Sequence, residues 1–228
     1  MNRFYNLARL DYSDYATASY EGTFKKNPPC PNCKNQGFQR WERISPLVIE
    51  WQPDSDLIGD FTWPSGLGEL VVTDRVKQCL ELQSVTGVDF GPVKMIQNPK
   101  LKKPTRMSSR TKKRIWLPYE GPPLWDMLTC SWCNLDMIAS KRTITYECSI
   151  CHRQEYSYTP DTPLVVNPDT WDGSEVFRIR EMGRLVFVLG RVKSIIEKNS
   201  FSNVTVEERG NIAHKSGGGK EGNGDALL

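Results

Sequence analysis

The 228-residue sequence predicts an α+β protein built from two related strand-helix-strand units around a metal-holding hairpin, on three observations. The first is a pair of CxxC turns, Cys130/Cys133 and Cys148/Cys151, with fourteen residues between them. Two residues between thiolates let both sulfurs of a tight turn face one ion, and the intervening segment is long enough for a short hairpin that returns one turn to the other. The second is an internal repeat. At an offset of 116, Phe61, Val72, Arg75, Val76, Lys77, Glu81, Ser84 and Val88 meet Phe177, Val188, Arg191, Val192, Lys193, Glu197, Ser200 and Val204. The third is periodicity: in each copy a short apolar run precedes residues at helical spacing, and a second strand-like run follows. The expected architecture is therefore two strand-helix-strand units with a zinc-ribbon hairpin between them, Cys130, Cys133, Cys148 and Cys151 closing a tetrahedral, structural zinc site.

Taken in order, residues 2–8 alternate well enough for a first strand, and the polar, Tyr-rich stretch after them reads as irregular. A further CxxC turn, Cys30/Cys33, stiffened by Pro28, Pro29 and Pro31, supplies half of a tetrahedral site. It either shares a metal with a later pair, takes other ligands, or is free. Residues 46–52 read as a strand. Leu70–Val72 form a short strand, Thr73 or Asp74 caps the helix that Arg75 opens, and Gly87 frees the chain to turn into a strand over Val88–Val93. Cys79 falls on the apolar side of that helix and reads as a small core residue. Ile115–Leu117 suggest a further strand, and Thr143–Tyr146 fill the ribbon hairpin. The tail from Arg209 is rich in Gly and Lys and is expected to be disordered. The resulting division is 1–98 for an N-terminal α+β unit with the first CxxC, 99–114 for a basic loop, 115–160 for the ribbon, 161–208 for the C-terminal unit and 209–228 for the tail.

Each CxxC also precedes a copy of the repeat, Cys33 lying 28 residues before Phe61 and Cys151 lying 26 before Phe177. The repeat thus extends to the metal turns, and Cys30, Cys33, Cys148 and Cys151 form a rival ligand set.

Composition narrows the function. Charged residues make up 25% and hydrophobic residues 38%, ordinary for a soluble globular protein. With no h-region at the N-terminus and no apolar run of spanning length, neither a signal peptide nor a membrane segment is expected. Six of seven cysteines in CxxC pairs then point to a reducing, cytoplasmic setting. The net charge of +3 is uneven: residues 94–114 carry nine Lys or Arg and no acid, leaving 21 basic against 27 acidic residues elsewhere. His152 adjoins a cysteine ligand and His214 lies in the tail, no phosphate-binding loop follows a strand, and the aspartates are scattered, so no enzyme is expected.

The two copies with CPNC and CSIC ahead of them resemble, from Phe4 to about Glu207, the double-CxxCG immunity-protein family of bacterial polymorphic-toxin systems. Lys34 and His152 stand where that family has Gly after the second cysteine, and Cys130/Cys133 is an additional pair. The resemblance implies a cytoplasmic, non-enzymatic protein that binds and neutralises a cognate toxin. Contacts with such a partner are expected from Trp63, Trp116, Tyr119 and Trp125, which sit in Pro- or Gly-rich surroundings that favour surface loops. The alternative is a zinc-ribbon nucleic-acid-binding protein gripping phosphates with the basic loop 94–114.

Overall fold

The computed structural model describes residues 2–10, 14–34, 41–53, 55–64, 68–103, 113–157, 162–183 and 185–213. The strands are β1 (Asn2–Ala8), β2 (Ala18–Tyr20), β3 (Phe24–Lys26), β4 (Trp41–Arg43), β5 (Leu47–Trp51), β6 (Phe61–Thr62) and β7 (Val71–Thr73), followed by helix α1 (Asp74–Leu82) and β8 (Val88–Ile96). The second half contains β9 (Leu124–Thr129), β10 (Trp132–Cys133), β11 (Ile144–Glu147), β12 (Gln154–Tyr156), β13 (Leu164–Val166), β14 (Val176–Ile179), β15 (Val186–Leu189), α2 (Gly190–Lys198) and β16 (Thr205–Ile212).

This overturns the expected α+β class. The protein is mostly β, with 38% of the described residues in strands and 11% helical, and its strands assemble into large sheets rather than into strand-helix-strand units flanking a hairpin. One sheet runs β10-β14-β15-β1-β16-β13 and the other β2-β5-β8-β9-β7-β6. Periodicity found the two helices but missed the short strands, because two or three residues are too few to show alternation. The stretch read as irregular contains β2, Ile115–Leu117 form no strand, and the segment assigned to the tail begins inside β16; residues 214–228 lie outside the described residues.

Each sheet takes a central strand from the other repeat half, β1 from the first and β9 from the start of the second. β1 lies between β15 and β16, whereas β9 lies between β7 and β8. The registers correspond, with β7 and β15 at the offset of 116 and β1 and β9 at an offset of 120. Val72 faces Trp125 as Val188 faces Tyr5, and Thr73 faces Leu124 as Leu189 faces Phe4. On the other side the parallel pair Val48–Lys94 corresponds to Leu164–Gly210. What repeats is thus a strand-rich half whose first strand is exchanged into its partner half.

One detail departs from a constant offset. Phe61 pairs with Val72 and Val176 pairs with Val188, so the structural counterpart of Phe61 is Val176 rather than Phe177. A one-residue shift turns a strand residue to the other face. Phe61 accordingly packs in the core between the sheets and the helices, whereas Phe177 points into the other sheet's own interior against Phe4 and Phe187, ring centroids 5.7 and 6.0 Å away.

The first sheet closes on itself. Leu135 just past β10 bridges Val166 of β13, the Asp136 N–H donates to the Val165 carbonyl at 2.8 Å and the Asn167 N–H to the Asn134 carbonyl at 2.9 Å. Closure removes both edges and encloses Phe4, Cys133, Leu135, Leu164, Val166, Phe177, Ile179, Phe187 and Ile212. No bridge joins β2 to β6 among the described residues, so the second sheet is an open half-barrel around Leu47, Ile49, Trp51, Val71, Ile115 and Leu124.

The helices pack side by side over a core shared by both halves, α1 through Val76 and Leu80 and α2 through Val192, Ile195 and Ile196. Their contacts come in matched pairs. Arg75 binds Asp60 at 2.9 Å and donates to the Asn199 carbonyl; Arg191 binds Glu175 and donates to the Gln83 carbonyl at 3.0 Å. The Asp60 carboxylate accepts from the Ser202 N–H at 2.9 Å as the Glu175 carboxylate accepts from the Thr86 N–H at 3.3 Å. Gly87, at φ +81°, abuts the Val176 carbonyl so closely that no Cβ fits, which is the role of glycine at this crossing.

Charges are buried inside the half-barrel. Asp126, fully buried on β9, takes Arg43 at 2.5 Å, and Arg43 also reaches Glu69 at 3.5 Å. Burial, outweighing Arg43, raises the Asp126 carboxyl above its ordinary range, and burial does the same to Glu69 against the pull of Arg178.

Two outcomes follow from this arrangement. With a protease site introduced between Lys103 and Lys113, the cleaved halves should co-elute on size exclusion in native buffer and separate in denaturant, because neither sheet is complete without the other half's strand. For Asp126 and Glu69, raised folded-state pKa values mean that the folded chain takes up protons more readily than the unfolded one. Their contribution is fully present below the unfolded carboxylate pKa and is lost as pH rises through the folded value. Urea unfolding should therefore show the stability of the wild type relative to an Asp126→Asn/Glu69→Gln variant rising as pH is lowered from neutrality; a fall would mean that pairing with Arg43 dominates burial.

Candidate metal centre

Both ligand turns lie in the connections of two-stranded ribbons. Cys30 and Cys33 fall between β3 and β4, which pair Lys26 with residue 41; Cys148 and Cys151 form the tip between β11 and β12, which pair Glu147 with Gln154. Within each turn the chain folds the same way. The Lys34 N–H donates to the Cys30 carbonyl and the His152 N–H to the Cys148 carbonyl, both at 2.9 Å. Lys34 and His152 have φ of 54° and 53°, the left-handed conformation that glycine adopts most readily.

The two turns meet across the halves. Cys30 Sγ is 3.7 Å from Cys148 Sγ, Cys33 Sγ is 3.6 Å from Cys151 Sγ, and all four sulfurs lie within 4.8 Å of one another. The spacing fits a shared ion: tetrahedral thiolates bound at about 2.3 Å stand about 3.8 Å apart. It does not fit disulfides, whose sulfurs are about 2 Å apart, and all seven cysteines are free. Cys30 and Cys148 are buried and Cys33 and Cys151 partly so. Four thiolates fill the coordination sphere of a tetrahedral ion, so such an ion would join the halves and leave no position for substrate.

The surroundings prepare one pair of thiols for ionisation. Backbone N–H groups of Cys151 and Ile150 hold the Cys148 thiol down at about 5, and those of Cys33 and Asn32 lower Cys30. Cys151 is pushed up to about 11: the Arg153 N–H favours its thiolate, but burial and the hydrogen bonds shared with Cys33, Cys30 and Cys148 outweigh it. The Asn32 side-chain amide donates to Cys148 Sγ at 3.5 Å and fixes its orientation. His152 faces Glu147 at 3.5 Å.

Of the six cysteines singled out by spacing, the structure brings together the four from the two repeat-linked turns. Cys130 and Cys133 are elsewhere. Trp132 and Cys133 run parallel to Arg178 and Ile179 as β10, which puts the Cys133 side chain inside the closed barrel, its thiol directed at the Arg178 carbonyl at 3.5 Å. Burial pushes that thiol up to about 12. Cys130 is exposed, its thiol directed at the Leu128 carbonyl at 3.7 Å. The fourteen-residue segment fails to fold back as a ribbon because β11 pairs forward with β12 and its other end is built into the barrel.

Of the aromatics expected at a partner surface, Trp63 packs against the shared core and donates its indole N–H to the Asn203 carbonyl at 3.0 Å. Trp125 packs there too, with its N–H on Asp74 at 2.8 Å and the Lys77 ammonium 4.5 Å from its ring. Tyr119 lies against the half-barrel core, its hydroxyl donating to the Pro122 carbonyl at 2.8 Å. Trp116 is half-buried. Large apolar side chains reach solvent at several places, among them Ile138 at 91%, Leu82 at 83% and Ile44 at 58% exposed, and the second ribbon with its turn carries three more, Ile144, Tyr146 and Ile150. In the basic loop, Lys94, Lys100, Lys102, Lys103 and Lys113 are exposed, Arg114 is buried, and residues 104–112 lie outside the described residues.

No protein-family model matches the chain, and no curated protein matches it.

Metal analysis after chelator-free purification should show loss of bound metal in Cys30→Ser and Cys148→Ser alike, with Cys130→Ser and Cys133→Ser retaining it. Equal retention in Cys30→Ser would exclude the shared centre. Lys34→Gly or His152→Gly should relieve left-handed strain and raise unfolding stability by about 1 kcal/mol each, measurable by urea titration of the metal-loaded protein.

Proposed function

We propose that this is a non-enzymatic, zinc-holding immunity protein that binds and neutralises a cognate bacterial toxin. The observation that carries the reading is the convergence of four thiols from two halves of the chain on one point, with every ligand position of a tetrahedral ion taken. Zinc suits an all-thiolate, redox-silent structural site. An ion so enclosed holds shape, and the protein then acts through its surface. The exposed Ile144, Tyr146 and Ile150 on the second ribbon and its turn support a protein partner, since apolar side chains grouped in solvent mark interaction sites. That the partner is a toxin rests on the resemblance of the two CxxC-led repeats to the double-CxxCG immunity proteins.

The test is co-expression with a toxin encoded beside this gene. Growth should be rescued and the two proteins should co-purify; the Cys30→Ser/Cys148→Ser double variant, lacking the metal, should rescue at least tenfold less well in plating efficiency. If the wild type neither rescues nor co-purifies, the immunity reading fails.

A further inference from the structure

The four converging cysteines are placed for a second chemistry besides ligation. Cys33 Sγ stands 3.6 Å from Cys151 Sγ and Cys30 Sγ stands 3.7 Å from Cys148 Sγ, each pair drawn from both halves of the chain. A disulfide places its sulfurs about 2 Å apart, so each pair has less than about 2 Å to close. The pairs differ in access. Cys30 and Cys148 are buried, whereas Cys33 and Cys151 are partly exposed, and a small reagent arriving from solvent meets them first.

The turns are held in this relation by more than ligation. The Asn32 amide, on the first turn, donates to Cys148 Sγ at 3.5 Å and to Ser149 Oγ at 3.4 Å on the second, so a side chain bridges the turns. Strand exchange fixes the two halves that carry them. The sulfurs therefore stay neighbours if an ion leaves. Thiols elsewhere are poorer targets, because the thiolate is the reactive form. Cys133 lies inside the closed barrel with its thiol pushed up to about 12 by burial, and burial also raises the Cys130 thiol, which is directed at the Leu128 carbonyl.

We infer that Cys33 and Cys151 form a peroxide-modification site, at which a hydroperoxide oxidises the pair to a disulfide that joins the two halves. With hydrogen peroxide, the thiolate sulfur of one cysteine attacks one oxygen; the O–O bond breaks, the other oxygen leaves as hydroxide and is protonated to water, and the sulfur becomes a sulfenic acid. The neighbouring thiolate then attacks that sulfur. An S–S bond forms, the S–O bond breaks, and a second hydroxide leaves and is protonated. Two electrons pass from the sulfurs to the peroxide, two protons are consumed and two waters are released. With two of four thiolates spent, tetrahedral ligation ends while the ribbon tips stay covalently joined. The inference rests on the convergence of the four thiols and not on the immunity reading.

Hydrogen peroxide is the probe, added in excess to the purified full-length protein; free thiols are then alkylated and the monomer band of a non-reducing gel is digested with trypsin. Cys30 and Cys33 fall in peptide 27–34 and Cys148 and Cys151 in peptide 143–153, while Cys79, Cys130 and Cys133 fall in others. A reducible link between the two peptides is expected, placed by fragmentation at Cys33 and Cys151, with bound metal released in step. Cys33→Ser/Cys151→Ser should slow linkage at least tenfold, because only the buried pair remains. Should that variant not fold, the wild-type map decides. Separate peptides each lighter by two hydrogens, the mark of disulfides within the turns, overturn the site. So do a link placed at Cys30 and Cys148, sulfinic or sulfonic acid without a link, and thiols left unchanged. Metal content is read on the same sample before peroxide is added: a link in protein that held no metal sinks the metal reading alone, and metal without a link sinks this site alone.

Discussion

The exchange of first strands governs this molecule. β1 and β9 each form a central strand of the sheet that belongs to the other half, so neither sheet can be assembled from one half alone. An inner strand of a sheet spends its backbone hydrogen bonds on both sides, and removing it would leave two rows of unpaired donors and acceptors. The relation between the halves is therefore a property of the fold's backbone, unlike the side-chain docking that holds most domains together. The shared helix core and the reciprocal arginines follow from it, because strand exchange brings the outer faces of the two sheets together with a helix from each half above them.

The four-cysteine centre has a different task. With the halves already committed to each other, joining residues more than a hundred positions apart costs little further chain entropy, because the sheets have closed that loop. The ion would act on the periphery, where β3–β4 and β11–β12 are two-stranded ribbons that would be marginal alone. It would tie their tips and thereby shape the exposed apolar surface around Ile144, Tyr146 and Ile150. Lys34 and His152 accept left-handed backbones to make the turns, a local cost that metal ligation would offset by over-determining the geometry.

How much of this was legible depended on periodicity. The helices could be read because Val76 with Leu80, and Val192 with Ile195 and Ile196, repeat at helical spacing. The ligand set could be read through the similar placement of each CxxC ahead of its repeat, but local spacing argued as well for Cys130 and Cys133, and nothing in the sequence records that Cys133 is a barrel side chain. Part of the strand content was hidden in segments of two to four residues, and the six-residue β9 went unread as well. The exchange itself was illegible, since Asn2–Ala8 and Leu124–Thr129 match in residue class without identity and at an offset of 120 rather than 116: Phe4 matches Leu124, Tyr5 matches Trp125 and Asn6 matches Asp126. A constant offset also misassigned Phe61, because one residue is gained between β14 and β15.

Strand exchange constrains how the chain can be made. As synthesis proceeds from the N-terminus, β1 leaves the ribosome first and waits for β15 and β16, nearly the whole chain later. β7 and β8 likewise wait for β9. Residues such as Phe4, Leu7 and Val72, which end wholly enclosed, stay uncovered throughout that interval, and at about 5–20 residues per second the delay lasts many seconds. The nascent chain thus exposes these apolar side chains until β16 has emerged.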